Sequence, residues 1–160
     1  MSKPSEILSV APAIEILFGR LHTLNTKATE LCQRHFTFVM AENKTRDWAQ
    51  KSVLFAQSRM RDNNMTVYWY EIRWYGSKAA KTRRMTKKLI KKPKANYGYN
   101  MAALLKLAQP WEEATVQEVE LEVIGIRREV AFISKAIAQL NYAAKGARKG
   151  ECVAESFDWE

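Results

Sequence analysis

The chain predicts an α+β domain: a three-stranded antiparallel meander flanked by two long heptad-patterned helices of coiled-coil type. Three observations predict it. Apolar residues recur at spacings of three and four in the first third of the chain and again in the last third. Between them, residues 65–75 are dense in β-branched and aromatic side chains, as a strand is. Asp62-Asn63-Asn64 before that run and Gly76-Ser77 after it are turn chemistry. A length of 160 residues fits a single domain, and 47% apolar residues suffice for a real core. That domain is expected over 1–146, with an acidic flexible tail over 147–160.

The first helix is predicted over 12–42. Ile14, Leu17, Leu21, Leu24, Ala28, Leu31, His35 and Phe38 form its seam. Pro12 stands in the first turn, where proline is tolerated. The sheet follows over 51–90. Its second strand covers 65–75. Its third covers 82–90 and alternates Arg83, Met85, Lys87 and Leu89 with Arg84, Thr86, Lys88 and Ile90. Lysines on an edge strand block edge-to-edge pairing, which is a purely structural reason for some of the charge.

A basic loop over 91–100 leads to a short helix over 101–108 and a long one over 110–145. Glu112 and Glu113 suit the first turn of that helix, and Gly146 suits its C-terminal cap. Val116, Val119, Val123, Ile126, Val130, Ile133, Ile137 and Leu140 make its seam. Two packings satisfy this pattern. The two seams pair with each other, or the last helix pairs with its copy in a homodimer.

Charge is concentrated. Residues 72–111 hold no acidic residue and eleven basic ones: Arg73, Lys78, Lys81, Arg83, Arg84, Lys87, Lys88, Lys91, Lys92, Lys94 and Lys106. The formal net charge is +9, so the other 120 residues sum to −2. One positive surface on a nearly neutral protein is the footprint of a polyanion binder. All but Lys106 are the candidate DNA-binding cations. Trp69, Tyr75 and Tyr97 are candidate stacking platforms for bases. By strand parity Val67, Trp69, Glu71, Arg73 and Tyr75 share one face, and the charges on it place it toward solvent. Arg73, Arg83 and Arg84 are the candidate base readers, because the guanidinium fork pairs two acceptors on guanine. The plain alternative is a solvated lysine-rich loop. A membrane-lying helix does not fit, because this stretch alternates as strand does.

No catalytic set emerges. His22 and His35 stand thirteen residues apart and read as packed or surface histidines. Only Asp62 and Glu71 lie near the basic segment, too few carboxylates to hold a nuclease's metals. Cys32 and Cys152 make no metal spacing or disulfide framework, and no glycine-rich phosphate loop occurs. A binding module without metal or cofactor is expected, in the cytoplasm and away from membrane. The tail carries Glu151, Glu155, Asp158 and Glu160 with Phe157 and Trp159. Those two aromatics are candidate anchors for a protein partner.

An aromatic strand (Val67-Tyr68-Trp69-Tyr70), a basic strand and a Lys-rich loop reaching Tyr97 come in order. Then Ala108, Pro110, Trp111 and Glu112 open a long helix bearing Arg127-Arg128. Over residues 59–128 this resembles the MobI family of bacterial conjugative-transfer proteins. The resemblance implies a cytoplasmic accessory factor that recognises the origin of transfer on double-stranded DNA and assists a relaxase. It supplies no catalytic residues. Two other functions fit the same residues: an RNA binder using the sheet, and a coiled-coil adaptor for an acidic protein.

Overall fold

The computed structural model describes residues 9–154, with side chains over 9–146. Helix α1 spans Ala11–Asn43 and has Pro12 in its first turn. A 3-10 turn, Trp48–Gln50, leads into strand β1, Leu54–Arg61. Asp62 and Asn63 reverse the chain, and Asp62 takes the left-handed φ of 49° that so tight a turn needs. Strand β2 is Asn64–Tyr75 and β3 is Arg84–Leu89. The sheet order is β1-β2-β3, antiparallel throughout, which is the expected meander. Helix α2, Met101–Leu107, is capped by the Asn100 side chain, which accepts from the Ala103 N–H. Helix α3 runs Glu113–Ala154.

Both ends of α3 differ from expectation. At its start, residues 109–112 close a turn first. The Glu112 N–H donates to the Gln109 carbonyl at 3.0 Å, and the Gln109 N–H donates to Glu112 Oε1 at 2.9 Å. This reciprocal pairing satisfies donors that would otherwise be unmet at a helix start. At its far end α3 passes through Gly146. A helix-interior glycine costs only about 1 kcal/mol relative to alanine, and Lys145, Ala147, Arg148 and Lys149 around it are good helix formers. The segment expected to be a flexible tail is therefore helical as far as Ala154. Phe157 and Trp159 lie outside the described residues.

The two helices run antiparallel, since Arg20 pairs with Glu129 and Arg34 with Glu122. Leu21, Leu24, Ala28 and Leu31 of α1 and Val119, Val123, Ile126 and Val130 of α3 are buried in one core. The sheet covers this pair, with β1 on α1 and β2 on α3. The result is a helical layer under a sheet. Each stripe serves both the partner helix and the strands, where a coiled coil would use it for the helix alone. Val116, Val119, Val123, Val130 and Ile137 are fully buried within the single chain. That seam is unavailable for pairing with a second copy.

Candidate nucleic-acid interface

The sheet has a covered face and a free one. Leu54, Ala56, Met65, Val67 and Trp69 point into the core. Phe55, Gln57, Tyr68, Tyr70 and Ile72 alternate with them and are half-buried on the other side. This reverses the expected orientation of β2. The expectation rested on Glu71 and Arg73, but these pair with each other at 2.9 Å, and charges late in a strand do not report where its first half points. Trp69 is fully buried. Its indole N–H donates to Glu120 Oε2 at 2.7 Å, and its ring meets His35 edge-on at 5.0 Å. Trp69 cannot stack on a base.

Arg127 and Glu120 were not singled out from sequence as core residues, yet they organise this region. Glu120 is fully buried, and Arg127 nearly so. The guanidinium donates to both Glu120 oxygens at 2.7 and 3.2 Å, to the Val67 carbonyl at 2.9 Å and to the Tyr97 carbonyl at 2.9 Å. Glu120 also accepts from the Tyr99 N–H at 2.8 Å, and the Tyr99 hydroxyl accepts from the Trp69 N–H. A buried ion pair holds only if its remaining donors and acceptors are met, and here they are. The network also completes the β2 edge where β3 stops. Arg127 belongs to the motif of the family resemblance, and its work is structural. The sequence signal was two opposite charges seven residues apart beside an apolar seam.

The Ala108–Glu112 motif is structural as well. Glu112 is fully buried, accepts from the Ser52 hydroxyl at 2.7 Å and lies 3.6 Å from His35 Nε2. The Trp111 indole N–H donates to the Gln50 carbonyl at 2.9 Å, and Gln109 donates to the carbonyls of Ala49 and Lys51. These bonds fasten the 3-10 turn, and with it Trp48, beside the sheet. His22 is exposed and His35 is packed in the core.

The β1 register ends at Glu71, and the Ile72 N–H makes a last bond to the Val53 carbonyl. Beyond it β2 and β3 continue as a two-stranded ribbon, Ile72–Tyr75 against Arg84–Lys87. Every residue of β3 is exposed, because the helices pack on β1 and β2. The connection requires Gly76. Its φ is +79°, and a Cβ there would stand 2.3 Å from the Thr82 carbonyl oxygen. The ribbon is basic on both sides. Lys87 pairs in register with Ile72 and shares the free face with Met85 and Leu89. Arg84, Lys88 and Arg73 take the opposite side, and Lys78 and Lys81 are exposed in the connection. Arg83 is half-buried, its guanidinium 3.7 Å above the Trp48 ring and 4.7 Å from that of Trp74. Tyr75 is exposed on the same side as Arg84.

Lys91, Lys92, Lys94 and Tyr97 form a second group, on the loop that continues from β3 toward α3. Lys91 and Lys94 are exposed. Lys92 is half-buried, and its ammonium donates to the Pro93 and Asn96 carbonyls, so it holds the loop's shape. Burial lowers its pKa from the ordinary lysine value. Gly98 lets the loop lie flat on α3, since a Cβ there would meet Ile124 Cδ1 at 2.7 Å. The eleven cations thus do not form one patch.

Among the described residues no group of three or more His, Cys, Asp and Glu side chains is placed to hold a metal. No described helix is long and apolar enough to cross a membrane. No curated protein and no solved structure matches the chain. The model of the MobI protein family matches residues 24–141, which include α1 from Leu24 onward, a part of the chain that the resemblance left out, as well as the sheet, the loop and most of α3. The chain therefore belongs to the MobI family of accessory proteins of conjugative mobilisation.

Proposed function

We propose that this protein binds double-stranded DNA at the origin of transfer and there assists the relaxase. The observation that carries the reading is the β2–β3 ribbon, which continues beyond the end of β1 with cations on both faces and in its turn. The major groove of duplex DNA, about 12 Å wide, admits a two-stranded ribbon. A ribbon seated there meets phosphates on both walls, which is what lysines on both faces serve. Arg84 is exposed at the turn end of the ribbon, paired with Tyr75, and is the leading base reader. Arg83 is held by two tryptophans and Arg73 by Glu71, so both are already engaged. The exposed Lys91 and Lys94 add phosphate contacts away from the ribbon.

Footprinting on a transfer-origin fragment and on a shuffled fragment tests this. Protection of one segment of the origin, lost with Arg84→Ala while non-specific binding persists, is the expected result. Equal protection of both fragments would remove the recognition role. For relaxase assistance the acidic C-terminus with Phe157 and Trp159 is the candidate contact. Deleting residues 156–160 is expected to leave DNA affinity unchanged and abolish relaxase capture in a pull-down.

A further inference from the structure

We infer that the free face of the sheet is a stacking platform for single-stranded DNA, adjoining the ribbon that grips the duplex and sharing Lys87 and Trp74 with it. The inference rests on the DNA-binding reading and refines it. Phe55, Tyr68 and Tyr70 form a continuous aromatic row there: Phe55 and Tyr70 have ring centroids 6.4 Å apart, as do Tyr68 and Tyr70. Lys87 Nζ lies 5.2 Å from both the Phe55 and the Tyr70 ring, and Gln57 steadies it at 3.3 Å. Toward the ribbon the row ends at the Trp48–Arg83–Trp74 stack, where the two indoles are 5.8 Å apart and Trp74 is 47% exposed. Toward the β1–β2 hairpin it ends at exposed Arg59 and Arg61, beside an open hollow of about 660 Å³.

By strand parity no carboxylate falls on this face: Glu71 is on the other side, and Asp62 is in the turn. Along β2 the row from Tyr68 to Trp74 spans six residue steps, about 20 Å at roughly 3.3 Å each. That length accommodates a few nucleotides. The exposed aromatic row has a use with a single strand and none with a duplex. In a duplex the base faces are already stacked on one another. In an unpaired strand they are free to lie on rings, while cations along the same surface take the phosphates. Cross-strand pairing alone would explain two aromatic neighbours. It does not explain four aromatic residues sharing one carboxylate-free face with Arg59, Arg61, Arg83 and Lys87.

The test is fluorescence anisotropy with a thymidine single strand of about a dozen nucleotides, the matching uridine strand, and a transfer-origin duplex. The variants are Tyr70→Leu and the double variant Phe55→Leu/Tyr70→Leu. Leucine keeps apolar cover and removes the stacking ring, and melting temperature is measured alongside. The double variant is expected to bind the thymidine strand at least about tenfold more weakly, with duplex affinity within twofold of wild type. Single-strand affinity unchanged in both variants overturns the platform. So does equal loss of single-strand and duplex binding. Uridine bound more tightly than thymidine overturns the DNA assignment. Duplex bound with no single-strand binding sinks this inference and leaves the ribbon reading intact, whereas binding to neither nucleic acid ends both.

Discussion

Glu120 and Arg127 show how a charged residue in a seam is to be read. Each is surrounded by apolar core, and each has its polar atoms met. Removing one partner of a buried pair strands the other, at a cost of roughly 3–5 kcal/mol. Glu120→Gln is therefore expected to lower stability by that amount in urea unfolding and to weaken DNA binding only as far as it unfolds the protein. Cys32 gives a second residue-scale outcome. Burial pushes its thiol pKa up from 9.0 to about 11. The folded state thus keeps the thiol neutral where the unfolded chain would ionise it. Stability from this source is complete below pH 9 and is lost as pH rises toward about 11. Urea midpoints measured below and above that window should fall more for wild type than for Cys32→Ala; equal slopes would show that the thiol does not contribute. Neither effect was legible in the sequence. A lone cysteine on a helix has no sequence mark of burial, and Trp69 was misplaced because the charges of Glu71 and Arg73 outweighed the apolar Val67 beside it in the parity argument.

The elements themselves were largely legible. Both long helices, a turn at Asp62-Asn63-Asn64 and the meander follow from local periodicity and turn chemistry, and all are present, whereas the apolar stripes serve the sheet as well as each other and do not form a coiled coil. The end of α3 was not legible, because a glycine after a lysine reads as a cap whether or not the helix stops there. The position of the ribbon was not legible either. Sequence pairs β2 with β3 but does not say that β1 gives out at Glu71 and leaves the last residues as a two-stranded arm. Gly76 belongs to that arm and not to the core. Gly76→Ala forces a Cβ against the Thr82 carbonyl at a positive φ. Duplex affinity is expected to fall about tenfold, since the ribbon lies misaligned in the groove and loses roughly one good base contact's worth of binding. Melting temperature should hardly move, because the ribbon buries little. A large drop in melting temperature with unchanged affinity would show that the turn supports the core and not the interface.

The whole molecule falls into two parts. A nearly neutral helical layer carries the core and its buried ion pair. A sheet laid over it projects a basic ribbon and leaves an aromatic face open. Sequence charge treated the basic segment as one surface, whereas β3 sends alternate cations to opposite sides and the Lys91–Lys94 loop leads away from the ribbon. Ribbon cations that meet phosphate release counterions, so the salt dependence of duplex affinity counts them. With about six cations in contact (the four ribbon lysines, Lys91 and Lys94), the slope of log affinity against log salt concentration is about −5.4. Replacing Lys78, Lys81, Lys87 and Lys88 by alanine should bring that slope to about −1.8 with melting temperature retained. A wild-type slope near zero, or an unchanged slope in the variant, would contradict the account.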